Sequence, residues 1–230
     1  MGAQEHLITF GVFALMVLVC YHQRNQIYLT LQYESSPVNW CEENYVYNNW
    51  IVEFWNSLSS FLLSGFGLWG IIVYRKDVKF YRFEPTMFLV WMVMIVVGLG
   101  SVWFHATLSV AGQISDEVPI VVLCLVIITM SRSKQQLPMR THLLNGHLIA
   151  RCSLVLFTFC LFFPVLSHII CIVFLPIGLY VFTKDYRDLN SDQPLFKRLF
   201  WATNVTFYIA LGVWILDRMA CDELTLLGIS

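Results

Sequence analysis

Six apolar runs, each close to or beyond the length that crosses a bilayer, leave this 230-residue chain one broad kind of fold. They are Trp50–Tyr74, Thr86–Leu108, Val118–Ser131, Leu148–Leu166, Ser167–Thr183 and Leu199–Leu216. The third and fifth are short, so their ends must borrow neighbouring residues. With 58% of residues hydrophobic and 13% charged, the composition is too apolar for a water-soluble domain of this size. The chain reads as an all-α integral membrane protein, a bundle of about six core transmembrane helices.

One further apolar run, Leu7–Tyr21, has 15 residues, no Lys or Arg before it and no small-x-small cleavage site. It reads as a signal anchor or tilted extra helix, ahead of a cleaved signal or an interfacial helix. The chain thus divides into an N-terminal apolar helix with its polar linker, 1–34, and a membrane domain, 35–230. No internal repeat or low-complexity tract divides it further.

A net charge of −1 carries no signal for nucleic acid, but the positions of the charges are informative. Arg75, Lys76, Lys79, Arg82, Arg132, Lys134, Arg140, Arg151, Lys184, Arg187, Lys197 and Arg198 fall in or beside alternate connections. Only Arg24 and Arg218 fall on the other side. Twelve against two is a strong positive-inside bias and makes the basic side cytosolic. The NWCEENY loop, the turn SVAGQISD and the C-terminal tail are then expected on the lumenal or exterior side.

The stretch Gly98–Asp116, GLGSVWFHATLSVAGQISD, concentrates polar groups at that end of an apolar run. Ser101 and His105 are four apart and share a helix face, and His105 is the one titratable side chain of its run. Gly112 is expected to permit the reversal and Asp116 with Glu117 to open the next helix, so His105 and Asp116 can meet. A lone histidine here could simply tie two helices together. Ser101 and Asp116 beside it favour a metal reading, in which zinc takes neutral imidazole and leaves a position for water while a carboxylate receives the water's proton.

A second constellation is Asn39, Trp40, Glu42, Asn44 and Glu53. Calcium takes several oxygens at flexible spacing, and two carboxylates, an amide and main-chain carbonyls can supply them. The alternative is a loop of helix-capping and solvated acids. Glu53 weighs toward the cation, because it stands in the opening turn of a membrane helix and needs a partner there. Weaker signals are the sequon Asn204-Val205-Thr206, which falls inside a span, and Gly98-Leu99-Gly100, which reads as close helix packing. His22, His142, His147 and His168 read as surface or capping residues. Cys41 and Cys221 are both expected off the cytosolic side, where a disulfide between them is permitted.

SSPVNWCEENY followed by VEFWN, then GLGSVWFHATLSVAGQISDE, then WILDRMACDEL, resembles the alkaline ceramidase family over roughly residues 35–224. The resemblance implies a seven-helix membrane hydrolase of the endoplasmic reticulum or Golgi that cleaves the ceramide amide to sphingosine and a fatty acid. It implies catalytic zinc, with His105 as a ligand, Ser101 stabilising the oxyanion and Asp116 acting on the metal-bound water. It implies calcium among Asn39, the Trp40 carbonyl, Glu42, Asn44 and Glu53, and a disulfide between Cys41 and Cys221.

Two departures qualify these expectations. Asn39 stands where the family usually has Asp, which removes a negative charge from the calcium shell and weakens binding. The family's zinc site is completed by an HxxxH pair on a seventh helix, and no HxxxH occurs in these 230 residues, which end TLLGIS. The expectation is therefore the ceramidase fold minus its last helix, inactive or nearly so alone, or completed by another chain such as a full-length paralogue. Leu7–Tyr21 is additional to the family pattern; His6 and His22 flank it at opposite ends and cannot replace the pair. The competing class is a non-catalytic, sphingolipid-binding or regulatory membrane protein, a receptor-like bundle or scaffold. Nothing resembles a transporter's paired broken helices.

Overall fold

The computed structural model describes residues 35–74, 85–132, 139–189 and 194–221, together with Gly11, Ala14 and Leu18, which are helical. The rest of the run Leu7–Tyr21, the linker with His22, the basic stretch at 75–84 and the tail after Cys221 lie outside the described residues. Six helices follow in order: α1 (Phe54–Tyr74), α2 (Pro85–Thr107), α3 (Val110–Arg132), α4 (Met139–Phe162), α5 (Pro164–Leu189) and α6 (Pro194–Met219). Three of them open on proline, whose missing N–H is no loss where the helix has no acceptor for it.

Among the described residues, five helices are long and apolar enough to cross a membrane, over Phe54–Val73, Phe88–Thr107, Val110–Ile128, Pro164–Val181 and Lys197–Asp217. The apolar part of α4, Arg151–Phe162, is shorter than a full crossing. The outward faces of α1 and α6 are rich in exposed apolar groups such as Phe61, Phe66, Trp69, Tyr208 and Val213. Such faces suit lipid rather than water. The chain is an all-helical membrane protein.

Several boundaries differ from the sequence expectation, for one physical reason. Hydropathy marks residues that face lipid, whereas polar residues that face other helices also belong to spanning helices. Thus α3 begins at Val110 rather than Val118 and carries Gln113, Asp116 and Glu117 inside it, with Pro119 also in its interior. The reversal before it lies at Leu108, whose φ of 44° is left-handed, and not at Gly112. Asp116 and Glu117 accordingly sit in the second turn rather than opening the helix. The join between α4 and α5 is at Phe163, not Ser167, and His142 and His147 lie on α4 itself.

At the centre is α3, which packs against α2, α4 and α5, while α1 packs on α2. Half of the α3 spanning stretch is buried, against 11% of that of α6. Ile114, Val121 and Val126 form its covered side. As expected, the two glycines of Gly98-Leu99-Gly100 serve close packing. A Cβ on Gly98 would lie 2.3 Å from Ser64 Oγ on α1, and one on Gly100 would lie 2.0 Å from the Ser115 carbonyl oxygen on α3. Asn204 is buried in α6, its Nδ2 donating to the Phe200 carbonyl at 2.9 Å, so the sequon is not presented for modification.

Candidate active site

The site begins where the segment 35–53 docks on the end of α2. The last carbonyls of a helix have no partner within it. Here the Glu53 N–H donates to the His105 carbonyl at 3.0 Å and the Val52 N–H to that of Ala106 at 3.1 Å. Just past the helix the Ser36 N–H donates to the Leu108 carbonyl at 2.8 Å. Val38, Val52, Phe104 and Leu108 close over these bonds as a small apolar core. Ser109 then caps α3, its Oγ accepting the Gly112 N–H at 3.1 Å.

This docking fixes His105 and brings a fully buried carboxylate to it. Glu53 Oε2 lies 2.5 Å from His105 Nδ1 and accepts from Asn56 Nδ2 at 3.0 Å. Its Oε1 accepts the Trp40 N–H at 3.1 Å. The partner that a membrane-buried Glu53 requires is therefore histidine, and two sets that the sequence assigned to different metals share this bond. With Nδ1 engaged, Nε2 is the nitrogen His105 can offer to a ligand; it has no partner among the described residues. A carboxylate behind one ring nitrogen is how metal-binding and proton-moving histidines are oriented.

Ser101 lies one turn before His105 on α2, and Asp116 on α3 is near enough to both to interact with them electrostatically. Ser60 Oγ on α1 donates to Ser101 Oγ at 3.0 Å. Gly100 makes this meeting possible, because the α3 backbone at Ser115 occupies the space a side chain would need. The structure thus brings Ser101, His105 and Asp116 together.

The other expected ligand set has a different disposition. Glu42 caps α1: its Oε1 accepts the Trp55 N–H at 2.6 Å and its Oε2 the Asn56 N–H at 2.8 Å. Glu53 is likewise turned toward protein donors. Asn39 and Asn44 are exposed on the same loop. Both carboxylates accept protein N–H groups, and for Glu42 this is the capping arrangement that the spacing left open. Calcium requires six or more oxygens around one centre.

A second buried cluster was not anticipated. Glu117 accepts Gln113 Nε2 on both oxygens at 3.2 Å, meets His168 Nδ1 at 2.6 Å through Oε1, and takes the Ser167 hydroxyl on Oε2. Ser36 Oγ in turn donates to Gln113 Oε1 at 2.8 Å. His168 is therefore neither a surface nor a capping residue, but the imidazole partner of an intramembrane acid. The signal was present in the sequence, since an ionisable residue inside an apolar stretch is a functional hypothesis by default. The two histidines flank a tryptophan pair: ring centroids are 6.2 Å apart for His105–Trp40, 5.7 Å for Trp40–Trp214 and 6.2 Å for Trp214–His168.

Cys41 and Cys221 are disulfide-bonded, with Cα atoms 5.2 Å apart, and Cys41 N–H donates to Asp217 Oδ2 at 3.3 Å. These contacts tie the docked segment to the end of α6. Among the described residues no three His, Cys, Asp or Glu side chains are gathered closely enough to hold a metal ion. His105 is oriented as a zinc ligand would be, but it is one ligand where a zinc site takes three or four.

Comparison with known proteins places this geometry in a family. The family model described as Ceramidase matches residues 32–228. Alkaline ceramidase of Drosophila melanogaster is 28% identical over 190 residues, covering 82% of this chain and 66% of that protein. Alkaline ceramidase 3 of Mus musculus is 28% identical over 203 residues, covering 83% and 69%. Alkaline ceramidase 1 of Homo sapiens is 29% identical over 202 residues, covering 83% and 72%. The chain spans about two thirds of the length of the curated relatives it matches. With a match that runs through both the docked segment and the α2–α3 site, the chain belongs to the ceramidase family.

Proposed function

We propose that this chain hydrolyses the amide of ceramide, giving sphingosine and a free fatty acid, at a site on the non-cytosolic side of an endoplasmic reticulum or Golgi membrane. The convergence of Ser101, His105 and Asp116 inside a helical bundle is the observation that carries the reading. A hydroxyl, an oriented imidazole and a carboxylate in a site walled by helices are the groups amide hydrolysis needs. Sidedness is supported by where the ends of the helices gather. The segment 35–53, the α2–α3 turn, the start of α5 and the end of α6 are bonded to one another, at the end opposite Lys184, Lys197 and Arg198.

Within this reading Asp116 receives a proton from the attacking water, and Ser101 turns its single hydroxyl proton to the developing oxyanion. Glu53 fixes the His105 ring so that Nε2 faces the reacting amide. Zinc, when bound, would polarise the carbonyl and acidify water, with His105 as the ligand this part of the chain supplies. Calcium belongs to the same proposal, with Asn39, the Trp40 carbonyl, Glu42, Asn44 and Glu53 as the oxygens available to it.

The test is release of fatty acid from ceramide by the purified full chain, with bound zinc measured in parallel. Asp116→Asn and His105→Ala are each expected to lower the rate by about 100-fold or more, the range for loss of a general base or its partner. Ceramide turned over undiminished by Asp116→Asn would overturn the assignment. Ceramide bound but never turned over by the wild type would favour a non-catalytic sphingolipid-binding protein.

A further inference from the structure

We propose that His168 reads a hydroxyl of the sphingoid base, with Glu117 as its positioning residue; this rests on ceramide being the substrate class. The pair is a second imidazole–carboxylate unit built like the one at His105. In each, Nδ1 is held by a buried acid from another part of the fold, which directs Nε2 away from that acid. His168 Nε2 has no partner among the described residues, and its side chain keeps 22% of its surface accessible. Glu117 has nothing left to offer a ligand, because Gln113, Ser167 and His168 already occupy both of its oxygens. Any contact from this cluster to a substrate therefore passes through the imidazole.

The cluster lies next to the reacting groups rather than elsewhere in the bundle. Gln113, Asp116 and Glu117 are spaced i, i+3, i+4 and so share one stripe of α3. That stripe sets Asp116 near Ser101 and His105 and holds His168 through Glu117. Trp40 and Trp214 lie between the two imidazoles and give that space an apolar wall. Ceramide carries hydroxyls one bond to either side of the carbon that bears its amide nitrogen. A hydroxyl donor or acceptor set beside an amide-cleaving site distinguishes such a lipid from a simple fatty amide. Glu117, held on both oxygens, prevents the ring from turning and fixes which nitrogen meets the substrate.

Equilibrium binding of ceramide, and of two analogues that each lack one of its hydroxyls, decides the matter for wild type, His168→Phe and His168→Gln in detergent, with thermal unfolding followed in parallel. Wild type is expected to bind ceramide roughly 10- to 100-fold more tightly than one of the analogues, the range for a hydrogen bond to a substrate hydroxyl in a buried site. His168→Phe should lose that preference while binding the poorer analogue as wild type does, and His168→Gln, which keeps a hydrogen-bonding end, should recover part of it. Equal binding of all three lipids by wild type overturns the proposal, as does an equal loss for every lipid in both variants, which a merely structural link between α3 and α5 would give. If His168→Phe does not fold, the analogue preference of His168→Gln decides. Preference without hydrolysis would overturn the hydrolase reading and leave His168 standing, whereas hydrolysis without preference would do the reverse.

Discussion

Replacing Glu53 tests the join between the docked segment and α2 most directly. The carboxylate is fully buried and receives three groups: the Trp40 N–H, Asn56 Nδ2 and His105 Nδ1. Glu53→Ala leaves all three without their acceptor in a place water does not reach. Removing one partner of a buried ionic or charge-assisted pair costs about 3–5 kcal/mol. Taking about 4 kcal/mol, the ratio of folded to unfolded protein falls roughly 1,000-fold. Denaturant unfolding in detergent, followed by tryptophan fluorescence, reads this loss; the Trp40 ring lies 6.2 Å from that of His105 and reports on the site. A cycle with His105→Ala isolates the pair, whose coupling is expected at about 1.5–3 kcal/mol. Because every donor is part of the protein, most of the loss should persist in a chelator. Additivity of the two substitutions within about 0.5 kcal/mol would refute the coupling. A loss that vanished with the chelator would show that Glu53 acts mainly through calcium rather than through these donors.

Other outcomes follow from single contacts. Gly100→Ala puts a Cβ about where the Ser115 carbonyl oxygen stands, at 2.0 Å, and neither backbone can yield, so folded protein should be lost from detergent extracts. Gly65→Ala, with nothing within 4 Å, should leave stability unchanged or raise it by about 0.5–1 kcal/mol in the same thermal assay. Tyr45 has a φ of 61° and an exposed side chain, so Tyr45→Gly should relieve roughly 1 kcal/mol of backbone strain and raise the melting temperature. Cys41→Ser or Cys221→Ser opens a cross-link spanning 180 residues and should lower stability by about 2–5 kcal/mol, seen as earlier melting of non-reduced protein.

The helical membrane class and most spans were legible because lipid-facing residues declare themselves by hydropathy, as Phe88–Thr107 does. What hydropathy misses is a helix that hides its polar face against its neighbours. The first two turns of α3 look like a loop in sequence and are helix because Gln113 and Glu117 find partners on the 35–53 segment and α5. The meeting of Ser101, His105 and Asp116 could be read from spacing, since a single short turn separates the two helices. The bonds Glu53–His105 and Glu117–His168 could not, because partners about fifty positions apart leave no local trace. Sequence alone showed that Glu53 needed a partner, but not that His105 is one.

The docking of residues 36, 52 and 53 on the carbonyls of residues 105, 106 and 108 also bears on how the protein is made. During synthesis the earlier segment emerges first, and its N–H groups have no acceptors until α2 has been inserted and the chain has turned at Leu108. The bond from Cys41 waits longer still, until α6 has been delivered. The segment 35–53, made before all six helices, is thus locked only after the last of them, and a nascent chain halted before α6 would hold α2 and α3 under a segment not yet cross-linked.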